Sequence, residues 1–271
     1  MLVVDQYAGH HDAIEERTWA YEELISLRLG EGRSARAMRL YRQYLADCAA
    51  QASPEFDALY LAGLQATQMP PTPLRRRDRF WSLTQLFQKT QHLDGLMAEC
   101  GCFRGLSSYI LCSMLRQAHL AQGGFSGKGY RIFDSFAGLS NPQAEDAVTG
   151  SDPEAERVRQ MTRPGKYAAS IDTVKRALAE FPDIAYFPGW IPQAFPDETQ
   201  TRYRFVHVDV DIYQPTRDSF EYFYARLVPG GIIVSDDFNW PGARKAIEEF
   251  CERNRLTLNT TPYTQAYLVK S

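Results

Sequence analysis

The 271-residue sequence predicts an α/β fold in which helices cover both faces of a mostly parallel β-sheet. The main observation is an alternation after residue 95, where short apolar runs ending in turn residues are followed by segments with apolar residues at helical spacing. Composition agrees with a packed domain, because 44% of the residues are apolar and 23% are charged, which excludes a disordered or fibrous chain. The pattern before residue 95 is helical instead. We therefore expect two domains, an N-terminal helical extension over residues 1–95 and a sheet domain over residues 96–271.

The elements of the N-terminal extension are predicted from helical periodicity and from its interruptions. Residues 12–66 carry apolar side chains at three- and four-residue spacing, and Gly30 and Gly32 divide this stretch into a helix–turn–helix. The proline-rich segment Met69–Pro73 ends the helical stretch, since proline removes a backbone donor and clashes with the preceding turn. A further helix is predicted over Arg79–Gln91. We expect the extension to serve as a substrate cover or as the contact of a homo-oligomer.

The sheet domain is predicted to contain five strands separated by helices and to close with a hairpin. The strands are the apolar runs Leu96–Cys100, Tyr130–Phe133, Ala185–Phe187, Phe205–Val210 and Ile232–Val234. The helices are Leu106–His119, Ile171–Phe181, Thr216–Leu227 and Gly242–Arg253. The hairpin pairs Leu256–Leu258 with Ala266–Val269. Ligands of such sheets bind beyond the carboxyl ends of the strands, so the residues that follow each strand are the candidates for function.

Charge and cysteine content exclude several classes of protein. The formal net charge is −3 and shows no footprint for nucleic acid, and the short cluster Arg75–Arg79 is interpreted as a solvated linker. No apolar run reaches about 18 residues, so we expect no transmembrane helix and no membrane partner. The five cysteines form no Cys-x-x-Cys pair, which favours buried thiols over a zinc site or a disulfide framework. Because the first residues also lack a signal-peptide pattern, we expect a cytoplasmic protein.

A glycine-containing loop follows the first predicted strand, with the sequence Glu99-Cys-Gly-Cys-Phe-Arg-Gly-Leu-Ser. Gly101 permits a tight turn, and Gly105 permits close approach of a ligand or of backbone. Amides at the start of the next helix suit a carboxylate or a phosphate. The loop is not Gly-x-Gly-x-x-Gly and lacks the Lys-Ser/Thr of a P-loop, so phosphate transfer is not predicted. The alternative is an ordinary strand–helix turn.

An aspartate ends the second predicted strand, in the sequence Phe133-Asp134-Ser135-Phe136. A carboxylate at this place can accept hydrogen bonds from ribose hydroxyls, as in nucleotide-binding sheets. The alternative is that Asp134 caps a helix or a turn. Combined with the glycine loop, it favours a ligand that contains a nucleoside.

Two pairs of aspartates follow two later strands, Asp209 and Asp211 after one and Asp236 and Asp237 after the next. If these strands are neighbours, the carboxylates converge at one sheet edge, where their repulsion requires a cation or protons. An all-oxygen site favours Mg²⁺ or Ca²⁺ over zinc. His207 has the parity of Asp209 on an extended strand, but its deeper position favours a buried core histidine over a catalytic base.

Five motifs occur in the order and at the spacing of a known family. They are Glu99-Cys-Gly-Cys-Phe-Arg-Gly-x-Ser, Phe133-Asp-Ser-Phe-Ala-Gly-Leu, Phe187-Pro-Gly-Trp, Asp209-x-Asp-x-Tyr-x-x-Thr and Pro229-Gly-Gly-x-x-x-x-Asp-Asp-Phe. In these motifs residues 95–271 resemble the macrocin O-methyltransferase (TylF/MycF-like) family of class I S-adenosylmethionine-dependent methyltransferases. The resemblance implies a Rossmann-like sheet of seven strands with an antiparallel last strand. It also implies S-adenosylmethionine as methyl donor, Mg²⁺ as cofactor, and a small-molecule acceptor, a sugar hydroxyl on a natural product.

The resemblance assigns candidate site residues as well. Glu99, Gly101 and Gly105 would form the loop on the methionine side of the donor, and the cofactor-binding candidates include Cys102, Arg104 and Ser107 of the same loop. Asp134, Ser135 and Phe136 would meet the ribose, and Gly189 and Trp190 would lie toward the adenine. Asp209, Asp236 and Asp237 would hold the metal. We nominate Asp211 as the general base and count Asp209 beside it as a second catalytic candidate.

Other functions compete with this interpretation. A methyltransferase with a catechol-like phenolic acceptor would use the same carboxylates. A nicotinamide-dependent oxidoreductase is disfavoured by the missing Gly-x-Gly-x-x-Gly and by the aspartate cluster. A non-catalytic nucleoside-binding module is disfavoured by the acids at every expected strand end. We expect selectivity for the acceptor in the N-terminal helices, in residues 141–166 and around Trp240.

Overall fold

The computed structural model describes residues 20–21, 24–25, 27–28, 31, 34–48, 53–70 and 74–271. The chain forms two compact units, residues 1–81 and 82–271. The division falls inside a helix, so residues 82–95 belong to the unit that contains the sheet. Across these described ranges, no helix has the length and apolar character needed to cross a membrane.

The described part of the first unit contains the helices α1 (Ser34–Cys48), α2 (Pro54–Ala66) and the first half of α3 (Leu74–Gln88). Helix α2 begins at a proline that follows Ser53, whose hydroxyl accepts a hydrogen bond from the amide of Phe56 at 3.3 Å and so caps the helix. The predicted turn at Gly30 and Gly32, and the last prolines before α3, lie outside the described residues.

The interpretation of the arginine cluster as a solvated linker is wrong. The cluster lies within α3, and the side chain of Arg77 is fully buried. Its guanidinium donates to Asp57 at 2.9 Å and to Asp78 at 2.7 Å, and it lies 4.9 Å above the ring of Phe56. Two carboxylates and an aromatic face therefore compensate a charge that would otherwise be too costly to bury.

The second unit contains a seven-stranded sheet in the order β3-β2-β1-β4-β5-β7-β6. Its strands are β1 (Leu96–Cys100), β2 (Tyr130–Asp134), β3 (Ala185–Pro188), β4 (Tyr203–Val208), β5 (Leu227–Ser235), β6 (Asn259–Thr260) and β7 (Ala266–Val269). Strands β1 to β5 pair in parallel, whereas β7 is antiparallel to both β5 and β6. The predicted Rossmann-like α/β class with an antiparallel last strand is confirmed. Strand order reverses between β1 and β4, which is where ligands bind in sheets of this kind.

Helices of the second unit are α4 (Leu106–Ala118), α5 (Pro153–Met161), α6 (Ile171–Ala177), α7 (Tyr213–Tyr224) and α8 (Pro241–Asn254). Four of them match the predicted helices with shifted ends, and α5 lies in a stretch where none is predicted. The first strand of the closing hairpin is also misplaced, since Leu256 and Leu258 pack against the apolar core and the pairing residues are Asn259 and Thr260.

The core lies around the central strands. Val206 and Val208 of β4 are fully buried and belong to the same apolar cluster as Phe220 and Phe223 of α7. Near-continuous burial of this kind is expected for parallel strands covered on both faces. It leaves the carboxyl ends of β1, β2, β4 and β5 as a shared, polar edge.

Candidate active site

The glycine loop joins β1 to α4 and lies against the end of β4. Gly101 has φ +79°, and a Cβ added to it would overlap the backbone carbonyl oxygen of Asp209 and lie 2.8 Å from its carbon. Gly105 has φ +88° and forms the N-terminal cap of α4. Both positions therefore require glycine conformation, and Gly101 also requires the absence of a side chain. Arg104 is half-buried in the same loop.

Asp134 ties the glycine loop to the end of β2. Its Oδ2 accepts hydrogen bonds from the amides of Cys102 at 2.7 Å and Phe103 at 3.3 Å, and its Oδ1 accepts one from the amide of Phe136 at 2.7 Å. The carboxylate thus organises two neighbouring loops. The amides of Cys102 and Phe103 bind this side chain instead of an external anion.

The loops after β2 and β3 meet beside Asp134. The amide of Gly189 donates to the carbonyl of Asp134 at 2.9 Å. The carbonyl of Gly138 accepts from the hydroxyl of Ser135 at 2.7 Å and from the indole of Trp190 at 3.2 Å. Trp190 is nevertheless 50% exposed, so part of its large apolar side chain is open to solvent. The structure therefore brings together the residues expected around a nucleoside.

Glu99 differs in environment from the rest of the loop because it is fully buried. It accepts hydrogen bonds from the hydroxyls of Ser107, Ser108 and Tyr130, the last at 3.0 Å, and it lies 3.0 Å from Nδ1 of His207. Both oxygens are occupied within the protein. Glu99 and Ser107, at the two ends of the loop, therefore stabilise it through a buried hydrogen bond to each other.

Three aspartates converge where β4 and β5 end. One ligand oxygen each from Asp209, Asp211 and Asp237 lies within 4.8 Å of the others. Asp237 Oδ2 accepts from the amides of Val210 and Asp211, both at 2.8 Å, whereas its Oδ1 is buried without a hydrogen-bond partner. Asp211 has φ +60°, an uncommon conformation for a residue other than glycine, which turns the chain around Asp237.

The electrostatics of this cluster favour a cation. Burial raises the pKa of Asp237 well above its usual range, and the nearby charges of Asp211 and Asp209 raise it further. A divalent ion would remove this penalty and would satisfy the buried Oδ1. The donors are all carboxylate oxygens, which suits Mg²⁺. The cluster therefore fits a divalent metal, with Asp211 in it where the sequence resemblance implies Asp236.

Asp236 lies beside the cluster and has different partners. Its Oδ1 accepts from the side-chain amide of Gln265 at 2.8 Å and is 3.2 Å from Nε2 of His207. His207, Asp209 and Asp236 form a second group whose ligand atoms lie within 4.8 Å of one another, so Asp209 belongs to both groups. Burial lowers the pKa of His207, but the carboxylates of Asp236 and Glu99 more than offset this and raise it well above its usual range.

Some residues around the site carry no sequence signal. Phe103 and Tyr167 have positive φ, 48° and 62°, and their rings contact each other with centroids 5.6 Å apart. Asp146 is buried and accepts from the amide of Tyr213 at 2.7 Å, which anchors residues 141–166 to the start of α7. Only an unusual backbone or a contact across many residues distinguishes them, and neither is visible in residue spacing.

Comparison with known proteins finds similarity to O-methyltransferases. A family model described as macrocin-O-methyltransferase (TylF) matches residues 65–265. A tetracenomycin-C derivative 4′-O-methyltransferase of Streptomyces olivaceus, whose acceptor carries a dimethoxy-rhamnosyl group, is 26% identical over 162 residues, covering 58% of each chain. Mycinamicin III 3″-O-methyltransferase of Micromonospora griseorubida is 28% identical over 130 residues, 46% of this chain and 50% of that protein. The chain thus matches 50–58% of the length of these two relatives.

Solved structures share the fold. The O-methyltransferase NovP superposes with a TM-score of 0.59 at 18% identity, covering 80% of this chain and 98% of that one. A calicheamicin methyltransferase superposes with a TM-score of 0.58 at 18% identity, covering 81% and 94%.

Proposed function

The chain belongs to the macrocin O-methyltransferase (TylF) family, and on that premise we propose that it transfers a methyl group from S-adenosylmethionine to a sugar hydroxyl of a natural product, with Mg²⁺ as cofactor. The single observation that carries this proposal is the contact between Gly101 and the backbone of Asp209. It supports the proposal because the loop expected to hold the donor is next to the backbone of Asp209, one of the residues expected to hold the metal. An in-line displacement needs such proximity, since acceptor oxygen, methyl carbon and sulfur must be nearly collinear.

On the donor side, the proposal assigns the loop from Glu99 to Ser107 to the methionine end of S-adenosylmethionine. Gly101 and Gly105 leave space for the donor because they have no side chain, and Cys102 and Arg104 are the further donor-binding candidates in this loop. Toward the nucleoside, Asp134, Ser135 and Phe136 would contact the ribose, and Gly189 and Trp190 the adenine. The half-exposed indole of Trp190 supports this assignment, because a flat apolar ring can stack on a base.

On the metal side, the proposal assigns Asp209, Asp236 and Asp237 as ligands. Bound there, Mg²⁺ would supply positive charge that lowers the pKa of an acceptor hydroxyl. Asp211 is proposed as the proton acceptor, because its carboxylate oxygen lies within 4.8 Å of those of Asp209 and Asp237. The amide of Asp211, which donates to Asp237, holds the backbone of this proposed base beside the ligands.

The proposed acceptor follows from the relatives and from the surroundings of the site. One relative is named for an acceptor that carries a rhamnosyl group, and another is named as the 3″-O-methyltransferase of mycinamicin III. Residues 141–166 lie beside α8, where Val158 and Ala243 pack with Trp240 and the guanidinium of Arg157 lies 5.1 Å above its ring. We propose that the segment 141–166, held in place by this buried packing and by Asp146, selects the acceptor.

The test combines binding and turnover with the full chain. Calorimetric titration should show binding of S-adenosylhomocysteine and no binding of NAD. Incubation with S-adenosylmethionine, Mg²⁺ and mycinamicin III, followed by mass spectrometry, tests one sugar acceptor and should add one methyl group; catechol serves as the phenolic comparison. Binding of NAD in preference to S-adenosylhomocysteine would contradict the proposal. Full activity in excess chelator would contradict the role of Mg²⁺.

For the N-terminal extension, residues 1–95, we propose a role as a substrate cover or as the contact of a homo-oligomer. Light scattering on the purified full chain should give a multiple of the 30.9 kDa chain mass. A monomer at all concentrations would contradict the oligomeric part of the proposal.

A further inference from the structure

A chain of buried polar side chains crosses the sheet below the proposed site. It connects the first turn of α4 with β7 through neighbouring strands, and its members are Ser107, Ser108, Glu99, His207, Asp236 and Gln265. All six are buried, and the three central side chains have no exposed surface. Polar groups are seldom buried in such numbers unless each is held by another.

His207 is the centre of this chain. It pairs in register with Glu99 of β1 on one side and with Val234 of β5 on the other. Its Nδ1 lies 3.0 Å from Glu99 Oε1, within hydrogen-bond distance. Its Nε2 lies 3.2 Å from Asp236 Oδ1, a close charge contact that is not aligned as a hydrogen bond. One imidazole therefore lies between the carboxylate of Glu99 on β1 and that of Asp236, the residue directly after β5.

The two ends of this series of buried polar side chains reach different halves of the proposed site. Glu99 is linked to Ser107 and Ser108, which form the first turn of the helix that follows the glycine loop. Asp236 is adjacent in sequence to Asp237, a member of the carboxylate cluster. Because water does not reach the chain, displacement of one member cannot be compensated by solvent.

We infer that His207 is a positioning residue that couples the donor loop to the metal edge, so that Mg²⁺ and the donor bind cooperatively. The inference deepens the proposed function and rests on it. It assigns no chemical step to His207, whose contacts are Glu99 on one side and the proposed metal ligand Asp236 on the other. Its role is to keep Glu99 and Asp236 at a fixed separation.

The experiment measures cooperativity directly, by titrating S-adenosylhomocysteine into the full chain with and without saturating Mg²⁺. The unaltered protein should bind S-adenosylhomocysteine roughly fivefold or more tightly when Mg²⁺ is present, the lower end of typical coupling between sites. His207→Asn retains a donor near the position of Nδ1 and can serve Glu99 alone. His207→Gln keeps an amide nitrogen beside Asp236, near the position of Nε2, and removes the donor that serves Glu99.

Each variant should therefore keep one affinity and lose the coupling. His207→Asn should retain binding of S-adenosylhomocysteine without Mg²⁺, and His207→Gln should retain binding of Mg²⁺. In both variants the dissociation constant of S-adenosylhomocysteine without Mg²⁺, divided by that with Mg²⁺, should approach one. A residue that only stabilised the fold would weaken both ligands and leave the ratio unchanged. His92→Asn, at an exposed histidine, is the matched control and should keep the full ratio.

The outcomes separate this inference from the proposed function. If the unaltered protein binds no S-adenosylhomocysteine, the proposed function fails. If it binds both ligands with no change of affinity between them, or if the His207 variants keep the coupling, the inference alone is overturned. Should neither His207 variant fold, the double variant Ser107→Ala/Ser108→Ala cuts the link on the loop side, and unchanged coupling in it would overturn the inference.

Discussion

Replacement of Gly101 by alanine should damage both halves of the proposed site through one added methyl group. The new Cβ would overlap the carbonyl oxygen of Asp209 and lie 2.8 Å from its carbon and 3.1 Å from Val210 Cγ1. Real Cβ contacts essentially never fall under 3.0 Å, and the obstructing atoms are backbone. Strands β1 and β4 must therefore separate at their carboxyl ends.

The magnitude follows from two contributions. Alanine at φ +79° costs about 1–2 kcal/mol for the left-handed conformation. The overlap adds about 1–3 kcal/mol, the usual cost of forcing an extra methyl into a packed site. We expect the free energy of unfolding to fall by roughly 2–5 kcal/mol, with weaker binding of both S-adenosylhomocysteine and Mg²⁺.

Gly123 provides the matched control. Its φ is +91°, and a Cβ there would meet nothing within 4 Å. Gly123→Ala should cost about 1–2 kcal/mol and leave both ligand affinities unchanged. Alanine restricts the unfolded chain equally in the two variants, so the difference between them isolates the overlap. Urea unfolding gives the stabilities and calorimetry the affinities; equal stability and normal binding in Gly101→Ala would refute the reasoning.

Other predictions concern the carboxylates and Trp190. Burial raises the pKa of Asp237, so the metal-free folded protein keeps a proton that the unfolded chain releases near the usual aspartate pKa of 3.8. The free energy of unfolding should therefore fall as the pH rises above about 4. Urea unfolding at several pH values measures this loss, and either Mg²⁺ or Asp237→Asn should remove it. Asp211→Asn should lower kcat by about 100-fold or more while calorimetry still shows Mg²⁺ binding, and loss of Mg²⁺ binding instead would make Asp211 a ligand. Asp236→Ala should weaken Mg²⁺ binding and leave S-adenosylhomocysteine bound in the absence of metal; unchanged Mg²⁺ affinity would remove Asp236 from the ligands. Trp190→Ala should weaken S-adenosylhomocysteine by about 1 kcal/mol, and an unchanged dissociation constant would exclude stacking.

The fold was predictable because its determinants are local. A buried parallel strand requires a short apolar run, and β1 coincides with the run Leu96–Cys100. Strand β6 was not predictable, since Asn259 and Thr260 are polar and pair only because β7 lies beside them. The burial of Arg77 was equally hidden, because its partner Asp57 lies on another helix.

The candidate site was likewise predictable only in the features that the local sequence determines. Strand-end positions in a parallel sheet predict that Asp209 and Asp237 meet, and the structure brings them together. Side-chain partners depend on packing between strands, so residue spacing could not indicate that Glu99 is enclosed below the loop or that Asp236 lies against His207. Aspartates at the ends of strands identify this edge of the sheet from the sequence. Which carboxylate oxygens can bind a ligand depends instead on how the side chains pack.

The central claim is that the donor and the metal occupy adjoining parts of one edge. A crystal structure of the full chain with S-adenosylhomocysteine and Mg²⁺ tests it most directly. We predict one ion at about 2.1 Å from oxygens of Asp209, Asp236 and Asp237, with the sulfur over the Gly101 loop and facing that ion. An ion bound elsewhere, or a ligand whose sulfur points away from these carboxylates, would contradict it.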